Sequence, residues 1–117
     1  MEAIRRSLLA QGVYYLGTGV APFISRRAFE AVTGPKREWW LVETVGVLVT
    51  AVGSGLAAAA ARDRVTPEIT MIAAGCAGGL AAIDIVYVAR GRISPAYLAD
   101  AAAQLALLVA HADASRR

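Results

Sequence analysis

The sequence predicts an all-α fold, an integral membrane bundle of four transmembrane helices in up-down-up-down order. Three observations predict it. Of the 117 residues, 57% are apolar and 18% are charged, whereas soluble domains average about 45–50% apolar and about 25% charged residues. The charges are concentrated between four long apolar runs. These runs are continuous and lack the alternation of polar and apolar residues that is typical of a membrane β-barrel.

The composition also excludes several classes of protein and site. Apolar content this high is incompatible with disorder, and the single cysteine, Cys76, excludes an internal disulfide and a multi-cysteine zinc site. The formal net charge is +3, but the basic residues lie between the apolar runs, where they would meet lipid headgroups. We therefore expect no nucleic-acid partner. Since no phosphate-binding or dinucleotide-binding motif occurs, we also expect no cofactor.

The four runs place the predicted spans at about residues 7–25, 39–61, 67–89 and 95–112, within one domain of residues 1–117. A helix needs about 20 mostly apolar residues to cross a bilayer. Residues 7–25 hold no charged residue, and the windows 41–61, 69–89 and 96–112 hold one each: Glu43, Asp84 and Asp100. We expect the first span to be retained, because Pro22 would directly follow the cut if it were a cleaved signal peptide.

The segments between the spans carry signals for helix ends. In residues 25–34, Phe29 and Val32 are spaced for one apolar face, which fits a short interfacial helix, and a plain loop fits equally well. An N-cap residue followed by proline precedes the third and fourth spans, as Thr66-Pro67 and Ser94-Pro95. Trp39, Trp40 and Tyr97 fit an aromatic belt at one membrane surface.

Small residues at helical spacing predict where the helices approach closely, because packing in lipid depends on close contact. Such residues are Gly12 and Gly19 in the first span, Gly46, Gly53 and Ala57 in the second, and the pairs Ala74/Gly78 and Gly75/Gly79 in the third. We expect all of these faces to be buried between helices.

The basic residues do not indicate an orientation in the membrane. The end with both termini holds Arg5, Arg6, Arg62, Arg64, Arg116 and Arg117, and the opposite end holds Arg26, Arg27, Lys36, Arg37, Arg90 and Arg92. Because this division is even, the preference of lysine and arginine for the cytoplasmic side leaves orientation open. We expect an integral membrane protein, located in the plasma (inner) membrane if the source is bacterial.

The three carboxylates inside the spans are the most informative residues. An aspartate at the bilayer centre costs about 2.5–3.5 kcal/mol, so such residues usually face the protein interior. With about 1.5 Å of rise per residue, Glu43, Asp84 and Asp100 each lie about 6–9 Å inside the same end of the bundle. Antiparallel helices therefore predict a single carboxylate cluster at that level.

Polar residues at helical spacing accompany these acids. We predict a ligand-binding site formed by Glu43, Asp84, Asp100, Gln104, Tyr87 and Tyr97. A polar stripe in the first span, Gln11, Tyr14 and Thr18, would face the same interior. His111, near the end of the fourth span, fits a solvated helix-terminal residue better than a ligand, so we predict no metal site.

This cluster predicts a small non-enzymatic membrane protein that binds or transports a proton, a cation or a small polar or amphipathic molecule. Clustered carboxylates repel one another and burial favours the neutral form, so at least one should hold a proton. An equally good interpretation is that phenol, amide or indole donors, or arginines from the loops, neutralise the acids.

Two further functions stay open. The chain could be an accessory subunit of a larger membrane complex, or a homo-oligomer, that uses the glycine faces and acids as contact surfaces. It could also be a small lipid-modifying or isomerising enzyme with one acid as proton donor and another as base. No catalytic residue is predicted, and the expected partners are the lipid bilayer and a lipid or small-molecule ligand.

Overall fold

The computed structural model describes residues 2–34 and 36–116 and confirms an all-α chain, with five helices and no strand in these ranges. The helices are α1 (Glu2–Ile24), α2 (Arg26–Thr33), α3 (Trp39–Ala61), α4 (Pro67–Ala89) and α5 (Tyr97–Ser115). Arg117, counted above among the basic residues, lies outside the described residues. The four long helices therefore correspond to the four predicted spans, and the short helix α2 lies in the connection between the first two.

The ends of α3 and α4 match the predicted spans, whereas α1 and α5 extend beyond theirs. At the start of α4, the Thr66 hydroxyl accepts a hydrogen bond from the Ile69 N–H at 3.3 Å, which confirms the predicted N-cap. The additional first turn of α1 holds Arg5, whose Nε donates to the Ala60 carbonyl at 2.6 Å. This carbonyl is one of the last four of α3, which lie beyond the regular hydrogen bonds of the helix, and it also accepts from the Asp63 N–H of the following turn at 3.2 Å. The apolar run of residues 7–25 thus begins five residues after the start of helix α1.

The short helix α2 is confirmed over the alternative of a loop. The Ser25 hydroxyl caps it by accepting a hydrogen bond from the Ala28 N–H at 3.1 Å. The Phe29 ring packs edge-on against Trp39 at 5.7 Å between ring centroids, and the Arg26 guanidinium lies 4.8 Å from the same indole. These contacts fix α2 across the start of α3.

The glycines of α1 and α3 bring the two backbones into direct contact. A Cβ atom at Gly12 would lie 2.7 Å from the Ala57 nitrogen, and one at Gly53 would lie 2.8 Å from the Gly12 carbonyl oxygen. Gly19 and Gly46 meet in the same way nearer the other end, where a Cβ at Gly46 would lie 2.7 Å from the Gly19 oxygen. The predicted small-residue packing is therefore confirmed for these two helices.

The prediction of close packing is wrong for Gly75 and Gly79 of α4. A Cβ atom at either position would have no neighbour within 4 Å. The helix α4 instead packs on α5 through another face, which includes Ala73, Ala77, Ala81 and Asp84. Because α4 touches α3 at few points, an open groove separates the two helices. The helix α1 lies centrally, along α3 on one side and beside α5 on the other.

Two helices, α3 and α4, are long and apolar enough to cross a membrane among the residues that the structure describes. At about 1.5 Å per residue, each 23-residue helix is about 35 Å long. The first turns of α1 carry Glu2, Arg5 and Arg6, and α5 carries Asp100 and Asp113 in an alanine-rich sequence. These charges and small side chains lower the hydropathy of α1 and α5, so the structure supports two candidate spans directly.

The bundle exposes large apolar side chains and buries several polar ones beside an apolar core. The buried polar side chains include Ser7, Gln11, Asp84, Gln104 and His111, next to apolar residues such as Leu8 and Leu56. Large apolar side chains lie exposed on α3 and α4, among them Val47 and Ile72. Exposed apolar side chains on the two helices that could span a membrane suit contact with hydrocarbon.

Candidate functional site

The centre of the candidate site is Asp84, near the C-terminal end of α4. Its side chain is 5% exposed, and its Oδ2 atom has no hydrogen-bond partner among the described residues. The group that faces it is the carboxyl of Asp100 on α5. A buried carboxyl and a half-buried one therefore lie side by side. No cationic side chain is paired with either of them in the described residues.

Asp100 is held by donors from two helices. The Tyr14 hydroxyl of α1 donates to its Oδ1, and the Gln104 amide, one turn further along α5, donates to the same atom at 3.3 Å. Asp100 thus receives two hydrogen bonds, whereas Asp84 Oδ2 receives none. A proton held between the two carboxyls would supply the donor that Asp84 lacks and remove one of two like charges. The arrangement is chemically suited to binding one proton.

A series of buried polar groups continues from Asp100 toward the other end of the bundle. The Gln104 Oε1 atom accepts a hydrogen bond from the Tyr15 hydroxyl at 2.7 Å, and the Gln11 amide lies beside that hydroxyl. Gln11 is fully buried, and its Nε2 donates to the Ala73 carbonyl of α4 at 2.9 Å. Since a carbonyl can only accept, this bond fixes the amide orientation and turns Oε1 toward His111.

His111 ends the series and is 6% exposed, so its assignment to a solvated helix end is wrong. Its Nε2 lies 2.6 Å from Gln11 Oε1, and its Nδ1 lies 2.7 Å from the Ser7 hydroxyl. Because Gln11 Oε1 can only accept, Nε2 must carry a hydrogen. The helix α1 thus supplies both partners of the imidazole.

The Ser7 hydroxyl allows His111 to exist in either protonation state. In the neutral imidazole, Nδ1 accepts the hydroxyl hydrogen of Ser7. In the imidazolium, Nδ1 donates to Ser7 Oγ, and the hydroxyl hydrogen turns to the Ile4 carbonyl, which lies 2.8 Å away. Neither state leaves a nitrogen of the ring without a hydrogen bond, so rotation of the Ser7 hydroxyl keeps the ring hydrogen-bonded when a proton is gained or lost.

The structure brings together three of the six predicted site residues, Asp84, Asp100 and Gln104. Glu43 is half-buried on α3 and makes no hydrogen bond or ion pair within the described residues. Tyr87 is 37% exposed and lies against Arg90. Tyr97 lies against Lys36, with the ammonium 5.2 Å from the ring centroid.

Sequence reasoning did not assign Tyr15 or Ser7 to the interior. A signal for Tyr15 exists, because Ile4, Leu8, Gln11 and Tyr15 follow spacings of four, three and four residues. This is the spacing of a single buried helix face. The structure confirms that all four are buried. Ser7 has a signal as well, because it lies four residues before Gln11 and extends the predicted polar stripe Gln11, Tyr14 and Thr18 by one turn.

Two cavities open near this series. One, of about 340 Å³, lies between α1, α4 and α5 and is lined by His111, Ser115 and Thr70, among others. The other, of about 370 Å³, is the groove between α3 and α4, and Tyr15 contributes to its wall. Neither is lined by Asp84 or Asp100. No group of three or more histidine, cysteine or acidic side chains within residues 2–34 and 36–116 could hold a metal ion.

Comparison with known proteins identifies no relative, because no family model, curated protein or solved structure matches this chain. Its function is therefore inferred from the geometry of the site.

Proposed function

We propose that this chain is a small integral membrane protein of four spans that takes up and releases a proton at the Asp84–Asp100 pair, as the proton-binding step of transport. The observation that carries the proposal is the buried Asp84 Oδ2 atom, which lacks a donor beside a second carboxyl. A bound proton would satisfy that oxygen and remove the repulsion between the two groups.

The membrane placement is supported by the large apolar side chains that the bundle exposes. Side chains such as Leu41 and Val47 on α3 and Met71 and Ile72 on α4 are exposed, and these helices are the two with the length and apolarity of membrane spans. The charged groups of α1 and α5 lie mainly near the helix ends or face the interior. In this arrangement, α1 and α5 cross the bilayer beside α3 and α4.

A proton is favoured over a larger ligand by the space at the pair. Neither of the two cavities described above is lined by Asp84 or Asp100. The donors Tyr14 and Gln104 already occupy the Oδ1 atom of Asp100. The polar series toward His111 contains two amides, Gln11 and Gln104, which polarise but do not readily release protons. We therefore assign proton binding to the carboxyl pair. His111 is a second, separate titratable group beside the cavity of about 340 Å³.

The test compares wild type with Asp84→Asn and Asp100→Asn, and uses Glu43→Gln as the matched control. Glu43 is an acid on a candidate span without a partner in the described residues, so its removal changes charge and leaves the pair intact. The proteins are reconstituted in lipid bilayers, and infrared difference spectra between two pH values report the carbonyl band of a protonated carboxyl. Proton entry into vesicles under a potassium diffusion potential is followed with an entrapped pH dye.

We expect wild type and Glu43→Gln to show both the carbonyl band and proton entry, and both asparagine variants to lose them. The proposal fails if the band and the flux persist in Asp84→Asn and Asp100→Asn. A band that persists without any flux in wild type would contradict transport and leave proton binding as the function of the pair.

A further inference from the structure

The groove between α3 and α4 is an apolar surface that the proposed function does not use. Its α3 wall includes Val45, Leu48 and Val52, and its α4 wall includes Gly79 and Leu80. Tyr15 of α1 lies behind them, with its hydroxyl turned to Gln104 and away from the groove. The volume, about 370 Å³, is within the range of about 300–1,000 Å³ typical of ligand pockets.

The groove stays open because glycines line the α4 side. Gly75 and Gly79 have no neighbouring atoms within 4 Å of an added Cβ, so larger side chains there would fill the groove without a clash. The lining runs for about 12 Å along α4, from Gly75 to Ile83. A narrow, elongated and apolar space of this kind fits a hydrocarbon chain better than a compact or polar ligand.

The groove lies nearer the end of the bundle that is formed by α2, and this end carries an excess of positive charge. Six basic residues lie there, Arg26, Arg27, Lys36, Arg37, Arg90 and Arg92, against the two acids Glu30 and Glu38. The opposite end has six basic residues against four acids, Glu2, Asp63, Glu68 and Asp113.

Several of the arginines at the α2 end are available to an anionic partner. Arg27, Arg37 and Arg92 are exposed and form no ion pair with another described residue. Ile83 lies at the end of the groove that is nearer α2. It is seven residues before Arg90, which is about 10 Å along the helix. Clusters of lysine and arginine at this depth attract anionic lipid headgroups.

We propose that the groove holds one acyl chain of an anionic phospholipid, whose headgroup is bound by the arginines at the α2 end. The inference shares the membrane placement with the proposed function, but it does not depend on proton binding. The complementary charge selects the lipid class, and the apolar lining holds the chain.

Cys76 provides a site-specific reporter because it lines the groove and is the sole cysteine in the sequence. The full chain is purified in a mild detergent, and the rate of alkylation of Cys76 by N-ethylmaleimide is measured with added phosphatidylglycerol or phosphatidylcholine. When the lipid is at ten times its dissociation constant, occupancy should slow alkylation about tenfold. We expect this protection from phosphatidylglycerol at a lower concentration than from phosphatidylcholine.

Two matched substitutions separate occupancy of the groove from a general effect of lipid. Gly79→Leu fills the groove and should remove the lipid dependence of alkylation. Gly55→Leu adds the same side chain at a position of α3 that also has open space but does not line the groove, and it should behave as wild type. Arg90→Gln with Arg92→Gln should remove the preference for phosphatidylglycerol.

Three results would overturn the proposal. The first is an alkylation rate that neither lipid changes, and the second is equal protection by both lipids at equal concentration. The third is protection that rises with protein concentration without lipid, which would identify a second copy of the chain as the occupant. Proton entry in the Gly79→Leu variant should equal that of wild type, so failure of one proposal is distinguishable from failure of the other.

Discussion

Asp84 presents a buried oxygen without a hydrogen-bond donor in the described residues, next to another carboxyl. An unsatisfied buried polar atom costs about 1–3 kcal/mol, and more when it is charged. The rest of the interior follows the opposite rule, since Gln11, Gln104 and His111 are all hydrogen-bonded. Among the buried side chains of the described residues, the unsatisfied hydrogen-bonding atom is thus an oxygen of Asp84, and a proton would stabilise it.

Asp84→Asn should raise the thermal stability of the protein in detergent at neutral and alkaline pH. The asparagine amide can donate to Asp100, whereas an ionised Asp84 adds a second negative charge to a buried pair. As pH falls, wild type gains the same hydrogen bond by protonation, so the difference in melting temperature should shrink. Circular dichroism across a pH series measures it, with Glu43→Gln as the control. A variant less stable than wild type at every pH would contradict this expectation.

Gln11→Leu should destabilise the bundle strongly. The substitution leaves the His111 Nε2–H without its partner, at a cost of about 1–3 kcal/mol for a buried unpaired group. It also removes the second hydrogen bond to the Ala73 carbonyl, which keeps its intrahelical bond within α4. Thr18→Val is the matched control on α1, because the Thr18 hydroxyl is exposed and bonds within its own helix. Chemical denaturation in mixed micelles compares the two variants. Equal unfolding midpoints for Gln11→Leu and Thr18→Val would show that the buried amide contributes little.

At the scale of the helices, the spacing of glycines in the sequence indicates which faces of α1 and α3 can approach closely. Gly12 faces Gly53 and Gly19 faces Gly46. On each of the two antiparallel helices, the two contacting glycines are therefore seven residues apart. The spacing on α4 looks similar, but Gly75 and Gly79 meet no helix. Spacing alone therefore identifies faces that permit close approach, and the choice among them depends on how the whole bundle fits together.

Substitution by alanine should have opposite effects at Gly12 and at Gly17, two of the three glycines of α1. A Cβ at Gly12 would lie 2.7 Å from a backbone nitrogen of α3, whereas one at Gly17 has open space. Gly12→Ala should lower the melting temperature, and Gly17→Ala should leave it unchanged or raise it, because alanine favours an exposed helix by about 1 kcal/mol. A similar loss of stability in both variants would contradict backbone contact at Gly12.

For the whole molecule, the sequence indicates the position of a residue along its helix but not the direction in which its side chain points. Rise along antiparallel helices placed Glu43, Asp84 and Asp100 at one level, but rotation about each helix axis decides which side chains meet. Asp84 and Asp100 lie on α4 and α5, which pack together, whereas Glu43 lies on α3, which makes few contacts with α4. The bounds of α3 and α4 were predictable because charged residues flank both helices and Thr66 caps the start of α4.

Cysteine labelling can test whether α1 and α5 cross the membrane together with α3 and α4. In a Cys76→Ala background, single cysteines replace Glu2, Asp63, Arg92 and Arg116, and a membrane-impermeant maleimide is added to one side of sealed vesicles with uniformly inserted protein. Four spans predict that positions 2, 63 and 116 label from one side and position 92 from the other. Labelling of positions 2 and 116 together with position 92 would instead indicate two spans.

The glycine contacts make the packing of the molecule asymmetric. The backbones of α1 and α3 touch at both Gly12–Gly53 and Gly19–Gly46. The helices α4 and α5 pack on each other, and α4 has few contacts with α3. Both aspartates belong to this second pair of helices, while Tyr14, which donates to Asp100, belongs to α1. A change in the charge of the carboxyl pair therefore acts at the boundary between the two pairs of helices.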